Sequence, residues 1–395
     1  MQTGKWTLAA AMLATTMWAG AAHAQAKDPI RIGVPTALTG AYADLGNQAK
    51  RAIDLAVEEA NAAGGVDGRK VEVRFLDTEA KADLAKSQGE KLALSGYNLL
   101  MATIASGEGL ALGPQLAKWD ALYISTINKA NAITGASCNA RMFRVNHPDY
   151  SDAAVVKPWL ETRKEIKWAV IGMDGAWGRD SAASFKSAAT PQGKQIVSES
   201  FSPLGTNDYA PYIQKIVESG AQGLWVALAG RDAINFATQA KQFGLFEKVF
   251  VAGTSFVTDS TVKTMGDVSK GIWGIVNYSS TIDTPANKAL VAAWEKKYPG
   301  SNPTNFEGET YLGARVLFDA VKKAGSVKPA DVAKALPGEY DTIFGKVSLR
   351  KEDNQLVLPN YFGQIQDVGG KLKPVATMTI PADQATPKPD GSCKM

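Results

Sequence analysis

Apolar and polar positions in this chain fall into short blocks whose period switches repeatedly between strand-like and helix-like. Ile30 to Val34 is a short β-run that breaks at Pro35, passes a polar Thr/Gly loop to Gly40, and gives way to a helical period from about Gly46 to Asn61. Gly64-Gly65 ends that helix, Asp67-Gly68 turns the chain, and Lys70 to Leu76 predicts a second strand. Helix then follows over Lys81 to Ser95 and strand over Asn98 to Ile104, the latter reading as a parallel strand covered on both faces. Ser106 caps a further helix to about Trp119, Ala121 to Ser125 is the next strand, and a polar loop from Thr126 to Asn139 leads to a short strand at 142–145.

The rhythm restarts after Asp149. Helices are predicted over Tyr150–Thr162, Arg179–Ala189, Asp208–Ser219 and Ala233–Gly244, and strands over Trp168–Met173, Gln195–Ser202, Gly223–Leu228 and Val249–Ala252. The segment from Asp174 to Gly178 reads as a loop. Two doubly wound α/β halves in sequence are the result. Helices over Ala286–Tyr298 and Glu309–Ala324, then an antiparallel stretch from Phe344 to Ile365, return to the first half and make the domains discontinuous.

The first 24 residues read as a secretory signal: Lys5 as the positive end, an apolar run from Trp6 to Ala19 too short for a membrane span, and cleavage after Ala24 in Ala22-His23-Ala24. Export to a periplasm follows. The formal net charge of +4 is too small and too evenly spread for a nucleic-acid groove. One of the two histidines lies in the signal, which leaves His147, a loop residue near a lobe crossover, and argues against a His-based metal site or a Ser-His relay. No metal, no cofactor and no catalysis are expected. Cys138 and Cys393, far apart in sequence and in an oxidising compartment, are a candidate disulfide. The last dozen residues, rich in Pro and Asp, read as loosely ordered.

Gly107-Glu108-Gly109 with Gly113 imitates a dinucleotide fingerprint, but the spacing to the last Gly is one residue too long and no acid follows at the required distance. Ser106 sits at a strand end and a helix start, where a hydroxyl serves as a helix cap, as a carboxylate donor, or as both. Tyr42, Tyr150 and Trp177 are loop or loop-edge aromatics able to pack locally or to wall a small ligand. Lys129 and Arg231 read as solvated loop cations, and Asp174, Asp180 and Asp232 as acids favoured at helix starts.

Ile32-Gly33-Val34-Pro35-Thr36-Ala37-Leu38-Thr39-Gly40, the block Ala62 to Arg69, and Gln239 to Leu245 resemble the periplasmic leucine/isoleucine/valine-binding protein family, the type I solute-binding proteins of ABC importers, over essentially the whole chain after the signal. The resemblance implies two Rossmann-like lobes joined by three crossovers and closing on a ligand, with lobe 1 over 27–147 and 277–350, lobe 2 over 148–276 and 351–380, and a tail over 381–395. It implies a carboxylate site at Ser106 and the loop Ile127-Asn128-Lys129, with aromatic walls at Tyr150 and Trp177. Amino-acid binders of the family carry an acid where this chain reads Gly253-Thr254-Ser255, and a Thr where it has Lys129. Both departures point to an aromatic or other small organic acid rather than a branched-chain amino acid, with Thr254 and Ser255 supplying hydroxyls. The expectation is a monomeric binding component that serves an inner-membrane ABC permease, ahead of a secreted enzyme or a sensor lobe.

Overall fold

Parallel pairing of short apolar strands builds the first sheet. The computed structural model describes residues 27–389 and 391–395, so the signal expected over residues 1–24 lies outside the described residues. β1 (Ile30–Thr36), α1 (Ala43–Ala62), β2 (Val71–Asp77), α2 (Ala82–Leu94), β3 (Leu99–Met101), α3 (Ser106–Leu112), β4 (Leu122–Ser125) and β5 (Met142–Arg144) form a five-stranded sheet in the order β2-β1-β3-β4-β5 with its helices. Strand β1 runs through Pro35, where a break was expected. Its pairing with β3 covers only Ile32 and Gly33, so the proline borders β2 alone and no second ladder needs its missing N–H. β3 is shorter than its apolar run because Ala102 turns left-handed, at φ 63°. α3 stops at Leu112 and tightens into a 3-10 turn at Gly113–Gln115, well before Trp119.

The second lobe continues through α4 (Asp149–Glu161), β6 (Lys167–Met173), α5 (Ala176–Ala189), β7 (Gln195–Ser202), α6 (Ala210–Glu218), β8 (Gly223–Ala227), α7 (Gly230–Gln242), β9 (Phe250–Gly253), α8 (Asp259–Met265) and β10 (Trp273–Ile275). The chain then returns to the first lobe as α9 (Pro285–Lys297), α10 (Asn305–Ala324) and α11 (Pro329–Ala335). α10 lies along α1, fixed by the Arg51–Glu307 ion pair, by the Thr304 hydroxyl donating to Gln48 at 2.6 Å, and by the Tyr311 hydroxyl donating to Glu59 at 2.6 Å.

The antiparallel stretch expected over 344–365 divides between two sheets. β11 (Gly338–Thr342), β12 (Gly345–Leu349) and β13 (Leu356–Val357) form a small sheet, so the chain stays with these late first-lobe elements past residue 351. β14 (Asn360–Val368) and β15 (Lys371–Ile380) complete a seven-stranded sheet in the order β15-β14-β10-β9-β8-β6-β7. A cluster of Trp159, Trp168, Phe185, Trp225 and Phe362 packs one face of that sheet.

The crossovers between lobes follow β5, β10 and β13, and they lie side by side. His147, on the first, is fully buried: its Nε2 lies 2.8 Å from the Pro359 carbonyl on the third, and its Nδ1 lies 3.1 Å from Glu309 of α10. Asn277, on the second, donates to the same carboxylate at 3.5 Å. Gln355 donates to the Asn146 carbonyl and accepts from Arg144 at 2.6 Å, which ties the first crossover to the third.

The tail is docked rather than loose. α12 (Ala382–Ala385) packs on α4, Ala385 and Thr386 are buried, and Cys393 is disulfide-bonded to Cys138.

Gly46 seats α1 against the loop that follows β1. A Cβ there would stand 1.7 Å from the Ala37 carbonyl oxygen. Gly46→Ala is expected to destabilise the protein by about 3 kcal/mol or more, read as a fall in urea midpoint; an unchanged midpoint would show that the loop yields.

Candidate functional site

Loops leaving the carboxyl ends of β1, β3 and β4 face those leaving β6, β8 and β9, the place where open α/β sheets hold ligands. Between them lies a cleft drawn nearly shut, with a free volume of about 30 Å³. Tyr42, Ser106, Ile127 and Lys129 line it from the first lobe and Trp177 and Ser255 from the second; Leu45, Ile104, Ala105, Ala229 and Phe306 complete its largely apolar walls. A larger, more open groove runs beside it along α8 and the 300–307 loop, but none of the described residues with an unpartnered buried polar side-chain atom lines that groove. The two lobes touch at the mouth of the cleft. The Arg231 N–H donates to the Ala41 carbonyl at 3.0 Å, and the Asp180 carboxylate accepts from the Asn131 N–H at 2.7 Å.

Ser106 occupies the first helical position of α3, and Ala105 precedes it as the cap residue. The capping is done by Glu108, whose carboxylate accepts from the N–H groups of Ile104 at 2.9 Å and Ala105 at 2.6 Å and from the Thr78 hydroxyl. The Ser106 hydroxyl is therefore free for other work. Its oxygen accepts from the N–H groups of Lys129 and Ala130, each at 3.1 Å. With both lone pairs engaged, the hydroxyl has only its proton left to offer.

Lys129 is buried, not solvated. Its Nζ donates to both oxygens of Asp152, at 2.9 and 2.7 Å, and lies 3.4 Å from the Thr254 hydroxyl. Lys129 follows β4 while Asp152 and Thr254 belong to second-lobe elements, so this ion pair joins the lobes at the cleft wall. Asp149, beside it, is buried with neither oxygen hydrogen-bonded; burial first, then Asp152 and Asp180, holds its carboxyl well above the usual range against the pull of Lys129.

Trp177 sits on the first turn of α5, which starts at Ala176 because Gly175 is extended, rather than in a loop. Its indole N–H and the Tyr42 hydroxyl are both buried without partners. Burial, and then the nearby Asp232 carboxylate, keep the Tyr42 hydroxyl protonated far beyond the ordinary tyrosine range, while burial pushes Asp232 itself up to about 6. Ser255 reaches the cleft through a left-handed backbone at φ 56°.

Three expected residues are not on the lining. The Asn128 side chain turns inward, accepting from Thr103 at 2.8 Å and donating to the Thr103 and Ile104 carbonyls. Thr254 lies behind Lys129. Tyr150 keeps to α4, where its N–H donates to Asn131 at 3.0 Å. Phe306 and Asp152 are the residues that sequence reasoning missed. The capping box Thr304-x-x-Glu307 announces the helix that carries Phe306, but no local signal pairs residue 152 with residue 129.

The family model for periplasmic binding proteins matches residues 29–371. Among curated relatives, Leu/Ile/Val-binding protein homolog 3 of Brucella melitensis is 26% identical over 333 residues, which cover 82% of this chain and 87% of that protein. Among solved structures, a solute-binding protein of an ABC transporter from Rhodopseudomonas palustris, in complex with 3,4-dihydroxybenzoic acid, superposes with a TM-score of 0.83 at 25% identity over 90% of this chain and 98% of that one. The closed leucine-, isoleucine-, valine-, threonine- and alanine-binding protein of Brucella ovis shares the fold, with a TM-score of 0.80 at 19% identity over 93% of this chain and 99% of that one.

Burial raises Glu108 from 4.5 to about 7 despite its hydrogen bonds. The folded state therefore holds this proton more tightly than the unfolded chain, and stability is lost as pH rises between those values. Glu108→Gln, which keeps the acceptor for both amides, is expected to flatten the thermal midpoint between pH 5 and 7 relative to the parent; parallel pH profiles would refute the assignment.

Proposed function

We propose that this chain, which belongs to the periplasmic binding protein family, captures an aromatic carboxylate between its lobes as the substrate-binding component of an ABC importer. Proteins of this family bind solutes and are not enzymes. The observation that carries the ligand reading is the cleft lining. It holds one charged side chain, Lys129, and no carboxylate. An ammonium brought into such a site would lose its hydration without a charged partner, at a cost of several kcal/mol. A carboxylate would take the one proton Ser106 has left to offer, beside the Lys129–Asp152 pair that keeps the wall near neutral. The rings of Tyr42, Trp177 and Phe306 suit a planar apolar body. The unpartnered Tyr42 hydroxyl and Trp177 N–H suit a polar substituent on that body. The 3,4-dihydroxybenzoate in the Rhodopseudomonas palustris relative supports the same ligand class.

Delivery would begin with cleavage of the leader after Ala24 and release into the periplasm. Closure on the ligand then presents both lobes to the permease in one fixed arrangement. A branched-chain amino acid is the second reading, favoured by the name of the Brucella melitensis relative. It needs Asp152 or Asp232 to turn toward the ligand ammonium.

Thermal shift and calorimetry decide between them. Benzoate and 4-hydroxybenzoate at a hundred times their dissociation constants should add about 2.7 kcal/mol of stability, with leucine, isoleucine, valine and phenylalanine silent. A shift with the amino acids alone would overturn the reading. Ser106→Ala is expected to weaken carboxylate binding roughly ten- to a hundredfold through loss of a charge-assisted hydrogen bond; unchanged affinity would reduce Ser106 to a brace for the 129–130 loop.

A further inference from the structure

We infer that the C-terminal tail is a fourth connection between the lobes, closed by the disulfide, and that it limits how far they open. β15 is the edge strand of the second-lobe sheet, paired only with β14. Beyond Ile380 the chain packs α12 against α4 of that same lobe. It then crosses. Thr386 is clipped to the third crossover at both ends of one residue: the Leu358 N–H donates to its hydroxyl oxygen at 3.3 Å, and the hydroxyl donates to the Leu358 carbonyl at 3.2 Å. Arg350, which follows β12 of the small sheet and is held by Asp353, donates to the Pro387 carbonyl at 2.6 Å. Cys393 ends the path in a covalent bond to Cys138, in the first-lobe loop between β4 and β5.

The consequence is mechanical. The Cys138–Cys393 bond spans 255 residues of sequence, and all three crossovers lie inside that ring. Three adjacent connecting strands bend about the line that joins them and resist mainly stretching. A tether fixed on one lobe through α12 and on the other through a disulfide adds a constraint beside that line. Its free length is short, because Thr386 and Pro387 are already held and a residue spans at most about 3.6 Å. The tether therefore narrows the range of open states and raises the share of near-closed ones, which raises apparent affinity without touching the ligand.

The test compares the full-length oxidised protein with the double variant Cys138→Ser/Cys393→Ser and with Thr386→Val, which keeps the disulfide and removes the clip. Without ligand, small-angle scattering should give a larger radius of gyration for the double variant and an intermediate one for Thr386→Val. Hydrogen exchange should quicken at the crossover amides around His147, Asn277 and Leu358 in the same order. With benzoate as probe, affinity should fall about three- to tenfold as the closed fraction falls. An identical radius and identical crossover exchange in both variants, with native circular dichroism, overturn the inference. If the double variant does not fold, Thr386→Val decides by the same measurements. The radius and exchange readouts need no ligand, so failure of benzoate to bind would count against the ligand proposed above and leave this result standing.

Discussion

Two separately hydrogen-bonded sheets can share one functional cleft only if the strands that leave one and enter the other are themselves satisfied. That is the constraint on which this structure rests. Between the sheets the connecting backbone has no ladder, yet it is buried, and buried polar backbone must find partners. Gln355 and His147 supply them at the Asn146, Leu356 and Pro359 carbonyls, and Arg144 and Glu309 hold those two side chains in place. The Pro359 carbonyl can only accept, so the facing Nε2 of His147 carries a proton. Its Nδ1 lies 3.1 Å from Glu309. A single carboxylate on α10 thus braces the first and second crossovers, and through the imidazole the third. Everything at the cleft, from the pairing of facing loops to the contact at the mouth, inherits its alignment from this cluster.

The cleft repeats the pattern on a smaller scale. Lys129 and Asp152 are buried together, and each would be costly alone: removing one partner of such a pair typically costs 3–5 kcal/mol. Their union leaves the wall close to electrically neutral while keeping a cation within reach of the lumen. The neighbouring Glu108 and Asp149 are held toward protonation by burial. The site's polarity is thus arranged by desolvation as much as by choice of residue.

Much of this was legible in the sequence, and the reasons for the failures are physical. The βα rhythm reads clearly because parallel strands buried on both faces give unbroken apolar runs, and Gly-rich turns punctuate them. Ser106 was identified because a strand end meets a helix start there. By composition Lys129 reads as a solvated charge, and only the family resemblance puts it at the cleft, because burial of a lysine depends on its partner and Asp152 sits on another element. The family resemblance puts Asn128 on the ligand, whereas Thr103 and Tyr123 draw its side chain inward. The tail read as loose from its composition, yet a disulfide and two buried residues dock it. Local period and composition carry no record of contacts made across hundreds of residues.

The contact at the mouth of the cleft, Arg231 N–H to Ala41 carbonyl, is made by main-chain atoms on both sides. At its other edge, Asn131 also contributes a main-chain N–H. Neither feature is written in the identity of the residues that line the lumen. The lining can therefore change, one side chain at a time, while this contact between the lobes stays the same. A scaffold built this way separates what lines the cleft from what holds its two sides together.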